Sequence, residues 1–235
     1  MDEEPPDFTN AGSFGGHGRG AKPGDLVIPP SEPPDKDGPG ALDNPLGIWD
    51  AGDDDYVIPP RGWLLGNVFC RRFLSSLLAD GGVGKTAVRL AQLMALATGR
   101  ELTGEHVHAR SRVLVISLED DADELRRRVY ALMLHYRIPA SELKGWLHLC
   151  APKGMRLAEM RDGTIVAGTF EGLVRDTIAE LKIDVVSLDP FIKSHGMAEN
   201  DNNAIDFVCT MLTKIAIEAP STWLPTTLRD AAELG

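Results

Sequence analysis

Eight residues, Ala79-Asp80-Gly81-Gly82-Val83-Gly84-Lys85-Thr86, restrict what this chain can fold into more than any other feature. Phosphate is held by closely approaching backbone N–H groups, and only small residues permit such a turn. The lysine of the pattern reaches the β- and γ-phosphates, and the hydroxyl after it serves Mg²⁺. The surroundings suit the reading. Phe73 to Leu78 is a short apolar run that enters the turn. Ala87 to Ala97 repeats apolar residues at a helical period. That helix would aim its positive N-terminal end at an anion. Ala79 stands where the pattern usually has glycine, but Gly84-Lys85-Thr86 is intact. The alternative is a surface turn that happens to spell the same letters. Asp80, Gly81, Gly82, Val83, Gly84, Lys85, Thr86 and Ala87 are the expected contacts to nucleotide.

Two further segments carry chemistry. Val113 to Leu118 is a β-branched run fit for a buried parallel strand, and it ends in Glu119-Asp120-Asp121. In open parallel sheets ligands bind beyond the carboxyl ends of strands. A carboxylate there can orient a water for attack on the γ-phosphate, and Glu119 is the candidate. Asp120, Asp121 and Asp123 have a simpler explanation as helix cap and first-turn acids. Glu119 has the same capping alternative. Ile183 to Leu188 is a second buried strand, ending in Asp189-Pro190. A carboxylate in that place supports Mg²⁺; the alternative is a turn aspartate before proline. Thr86 and Asp189 are therefore the metal candidates, with ATP and Mg²⁺ as the expected ligands.

Strands and helices alternate from Arg61 onward. Asp121 to His135, Phe170 to Leu181 and Asn203 to Glu218 read as helices, and Trp146 to Cys150 as a strand. The pattern predicts an α/β fold with a mainly parallel sheet and helices on both faces. The 43% of hydrophobic residues allow such a core. The first 60 residues are different. They hold 11 of the 16 prolines, with 13 acidic and 3 basic residues, whereas residues 61–235 hold 22 acidic and 21 basic. A neutral body lends nucleic acid no electrostatic support. Residues 1–43 should be disordered, because they cannot bury enough apolar surface to offset their ordering entropy. Leu46 to Trp49 and Tyr56 to Ile58 would touch the body lightly. The resulting division is a tail over 1–45, a nucleotide-binding domain over 46–218 and a short atypical tail over 219–235. The acidic, proline-rich start is unlike an export signal, and no run approaches a membrane span. Cys70, Cys150 and Cys209 lie far apart, as reduced thiols of a cytoplasmic protein do.

Arg61 to about Glu218 resembles the RepA-like branch of the RecA/KaiC/DnaB superfamily, AAA-family ATPases of mobile elements. The likeness rests on Ala79–Thr86, Ser117-Leu118-Glu119, Ser187-Leu188-Asp189-Pro190 and the loop His195 to Asn202. It implies a RecA-like P-loop core in which Glu119 is the catalytic glutamate. Its best-known members are ring-forming helicases, which implies self-association and single-stranded DNA as partners. Such relatives continue into an apolar strand with two histidines and then a basic segment. Here Ala219 to Arg229 is polar and carries Pro220 and Pro225. Reading the codons of Ala219 to Thr227 from their third base, with G or C in free third positions, spells A-V-D-V-x-x-H-H. The expectation is a frameshift near Glu218, a sheet incomplete at the C-terminus and weak or no motor activity. Two other readings stay open: a nucleotide-dependent assembly module, and a gene remnant that does not fold.

Overall fold

The computed structural model describes residues 47–52, 57–79, 82–197, 201–218 and 224–226. The expectations for residues 1–45, for Asp53 to Tyr56 and for most of 219–235 lie outside these described residues. The chain divides into residues 1–57 and 58–235. In the first part Gly47 to Gly52 has no regular structure beyond a turn, in which the Gly52 amide donates to Asp50 Oδ1 at 2.7 Å. Ile48 and Trp49 are exposed.

The second part begins with a hairpin, β1 (Trp63–Leu65) and β2 (Phe69–Cys70), followed by β3 (Leu74–Ser76) and α1 (Lys85–Thr98). Next come β4 (Val113–Ser117), α2 (Ala122–Tyr136), α3 (Ala140–Leu143) and β5 (Leu147–Cys150). A hairpin of β6 (Ala158–Arg161) and β7 (Thr164–Ala167) precedes α4 (Thr169–Leu181) and β8 (Val185–Asp189). A single 3-10 turn, α5 (Asn202–Glu218) and β9 (Leu224–Thr226) complete the order. The helices have local causes. Gly84 and Gly99 bracket α1 in the left-handed conformation, which glycine adopts without strain. Asp121 caps α2 by accepting from the Asp123 and Glu124 amides at 3.0 and 2.8 Å. Asp201 serves α5 in the same way through the Asn203 and Ala204 amides.

The central sheet runs β3-β9-β8-β4-β5 with every pairing parallel. Alternation along its inner strands divides the core. Val113, Val115 and Val185 face Leu90, Leu93, Met94, Leu125 and Val129 of α1 and α2. Leu114, Ile116, Val186 and Leu188 face Phe170, Val174, Val208, Leu212 and Ile215 of α4 and α5. The sheet is therefore covered on both faces, and the expected α/β, RecA-like architecture holds. The β1–β2 and β6–β7 hairpins went unread because each strand is too short to display a period.

The sheet expected to be incomplete at the C-terminus has its place beside β3 filled in part. β9 occupies it, pairing with β3 at Leu74↔Leu224, Ser75↔Pro225 and Ser76↔Thr226. Among the described residues the ladder is shorter on the other side, where β9 meets β8 only at Leu188↔Thr226. Pro225 has no N–H to donate, which limits pairing at its position.

Gly168 precedes α4 where the chain passes the Leu157 segment, and its amide donates to the Leu157 carbonyl at 2.7 Å. A Cβ there would collide with the backbone carbonyl of Arg156, so the main chain would have to move. Gly168→Ala is expected to cost about 1–3 kcal/mol of stability, read as a lower urea midpoint. An unchanged midpoint would show that this crossing is loose.

Candidate functional site

The site lies at the carboxyl ends of β4 and β8, beside the N-terminus of α1. Register sets it up. Ser117 pairs with Asp189, so both strands end at one level, and the Leu118 amide donates to the Asp189 carbonyl at 2.8 Å. The chain after β4 turns sharply, with the Asp120 amide donating to Ser117 Oγ at 3.1 Å. The resulting cleft has a volume of about 300 Å³, within the range of small-molecule sites. Gly82, Gly84, Lys85, Thr86 and Ala87 line it together with Glu119, Asp120, Arg128 and Asp189.

Most of the residues singled out in the sequence meet here. Gly82 and Gly84 have φ of 78° and 91°, values that L side chains rarely adopt. The Lys85 ammonium donates to the Ala79 carbonyl. Thr86 Oγ1 donates to Asp189 Oδ2 at 2.9 Å across 103 residues of sequence. Val83 is exposed and does not line the cleft. Asp80 and Gly81 lie outside the described residues.

Asp120 departs from the capping role expected of it. Its carboxylate turns into the site and pairs with Arg128 of α2, with Oδ2 2.9 Å from Nε. Arg128 also reaches Glu124 at 3.2 Å. Capping falls to Asp121, and Asp123 pairs with Arg126 at the surface. Arg128 was missed. The only signal was its place four residues after Glu124 and eight after Asp120, which puts it two turns up one helix face.

Burial and crowding shape the charges. Burial pushes the Asp189 carboxyl above its ordinary range, and the nearby Glu119 and Asp120 push the same way. The Thr86 hydroxyl and Arg128 oppose the rise. Burial likewise raises Asp120, with Arg128 opposing. Asp121 is held low by the amides it caps. Thr86 and Asp189 present two hard oxygen donors in contact, a set that suits Mg²⁺. Among the described residues no group of three or more His, Cys, Asp or Glu could hold a metal ion alone. Any metal would need phosphate and water oxygens to complete its shell.

No described helix is long and apolar enough to cross a membrane. No curated protein matches the chain. A family model described as an AAA domain matches residues 41–224, well over half of the sequence. The glycine turn feeding α1, the parallel sheet and the cleft at its carboxyl edge agree with that match, and the chain belongs to the AAA domain family of P-loop ATPases.

Proposed function

We propose that the chain binds and hydrolyses Mg-ATP in the cleft between α1 and the ends of β4 and β8. The contact from Thr86 Oγ1 to Asp189 Oδ2, 2.9 Å long, carries this reading. It joins the hydroxyl of the glycine-rich turn to the acid that ends a buried strand. That pairing of groups matches what a nucleotide-bound Mg²⁺ requires.

Each residue then has a task. The backbone of Asp80 to Ala87 cradles the phosphates, aided by the N-terminal end of α1. Lys85 exchanges the Ala79 carbonyl for a β/γ-phosphate oxygen, a stronger acceptor because it is charged. Thr86 and Asp189 hold Mg²⁺, which when bound neutralises charge on the phosphates. Glu119 accepts a proton from, and orients, the attacking water. Arg128, tied to Asp120, offers a positive charge in the lining of the cleft. The wider part of the proposal, assembly into a ring on single-stranded DNA, rests on the likeness of Ser117-Leu118-Glu119 and Ser187-Leu188-Asp189-Pro190 to RepA-like proteins.

Equilibrium binding of a fluorescent ATP analogue tests the core of this reading. Binding is expected to tighten by at least about tenfold when Mg²⁺ is added, since the metal adds charge-assisted contacts worth roughly 1.5–3 kcal/mol. Absence of binding by folded protein would refute it. Hydrolysis measured with and without single-stranded DNA tests the wider part. Stimulation supports a motor; nucleotide-dependent assembly without stimulation supports a regulatory module.

A further inference from the structure

The carboxyl edge of the sheet holds the cleft and its acids. The amino edge has the opposite character. The three residues before each of β3, β4, β5 and β8 include six basic residues and one acid. Residues 61–235 are close to neutral as a whole, so the fold gathers cations that are scattered along the sequence. The sheet order β3-β9-β8-β4-β5 sets them in a row: Arg71 and Arg72, then Lys182, then Arg110 and Arg112, then Lys144. Four strand spacings of about 4.8 Å give this row a length of roughly 19 Å.

Contacts join the row. Arg71 Nη1 lies 3.3 Å from Asp184 Oδ1, and the Arg112 amide donates to Asp184 Oδ2 at 2.9 Å. The Arg112 guanidinium stands 5.0 Å from the centre of the Trp146 ring, and that of Arg110 stands 4.0 Å from it. Arg110 also donates to the Ala97 and Glu142 carbonyls. Helix ends explain part of the charge. Lys144 and Lys182 are the C-cap residues of α3 and α4, where the helix dipole favours a cation. Neither Arg72 nor Arg112 directly follows a helix. Arg72, Arg112, Lys144 and Lys182 enter no ion pair among the described residues. Three of the four are exposed, and Arg112 is half-buried.

A row of cations on a rigid strand edge fits a row of phosphates. A duplex suits it better than a single strand. Single strands are held by stacking successive bases on aromatic rings. Here the Trp146 ring packs against the core and carries two guanidinium groups. Phe73 is the one other aromatic residue among those before the four strands, too little for a run of bases. A duplex offers its phosphates without unstacking any base, and one of its strands presents about five of them over roughly 19 Å. The net charge of −11 opposes the approach of DNA, but at 0.1 M salt charges more than about 10 Å away are largely screened.

We propose that the amino edge of the sheet, through Arg72, Arg112, Lys144 and Lys182, is a sequence-independent binding surface for the phosphate backbone of duplex DNA. The surface draws on none of the residues assigned to nucleotide, which lie at the other edge.

Fluorescence anisotropy of a labelled random-sequence duplex, titrated with the full chain at about 50 to 200 mM salt, tests this. Four phosphate contacts give log affinity a slope of about −3.6 against log salt, a loss of roughly a hundredfold over that range. Arg72 and Lys182 have φ of 67° and 52°, which asparagine tolerates, so the variant is Arg72→Asn/Lys144→Gln/Lys182→Asn. It is expected to flatten the slope by about 2–3 and to melt near the wild-type temperature. An unchanged slope in the folded variant overturns the proposal. Should the variant fail to fold, wild type decides: a slope shallower than about −1, or tighter binding of a single strand than of the duplex, overturns it. Binding of polyglutamate without binding of the duplex, the signature of an acidic protein partner, overturns it too. Failure of the nucleotide reading would leave all of these results unchanged.

Discussion

Lys85→Ala is expected to weaken ATP binding by roughly a hundredfold or more, with little loss of stability. Lys85 opens α1 at the wall of the cleft, and its ammonium donates to the Ala79 carbonyl in the same turn. That contact is exposed, so its removal leaves no buried group unpaired. The bound state differs. The ammonium would then face phosphate oxygens at the dipole end of a helix, partly shielded from water. Removing one member of such a charge pair costs on the order of 2–5 kcal/mol, and about 1.4 kcal/mol is a factor of ten. Titration of a fluorescent ATP analogue, with thermal melts beside it, checks both halves. Equal affinity in wild type and Lys85→Ala would remove the glycine-rich turn from the site. Lys85→Arg should rescue poorly, because a planar fork does not replace a compact ammonium in a narrow turn.

Glu119→Gln is expected to lower ATP turnover by roughly 10²–10⁴ while leaving nucleotide affinity within about threefold. The amide keeps the shape of the side chain and loses the basic oxygen that accepts a proton from water. The capping role that competed for Glu119 is taken by Asp121, whose carboxylate receives both amides of the first turn of α2. Glu119 lines the same cleft as Lys85 and Thr86. Single-turnover hydrolysis measured beside equilibrium binding separates chemistry from affinity. Turnover that survives the substitution would move the base elsewhere, with Asp120 the next carboxylate of the cleft. Asp120→Asn offers a contrast, since it also releases Arg128 from its ion pair.

The parts of the site that were legible beforehand share one property: each is specified within about ten consecutive residues. The glycine turn is set by positive φ at Gly82 and Gly84 and by the helix that starts at Lys85. β4 and β8 announce themselves as β-branched runs ending in acids. Asp121 and Asp123 sit where any α2 would place its cap and first-turn charge. The hairpins β1–β2 and β6–β7 had no such signal, and neither did β9, whose pairing depends on the open place between β3 and β8 rather than on its own Leu-Pro-Thr sequence.

By itself the sequence determined the class of fold, the glycine-rich turn and the acids at the strand ends, because periodicity, glycine conformation and helix capping act between near neighbours. Only the tertiary structure decided which partner each acid meets. The register of β4 on β8 places Ser117 beside Asp189, and the packing of α1 on that pair carries Thr86 to Asp189. The same packing turns Asp120 from a cap into the partner of Arg128 and seals Arg89 behind the strand ends. These contacts join residues from 8 to 103 positions apart. The longest of them come from burying both faces of one sheet, and no local rule of the chain encodes the distance they span.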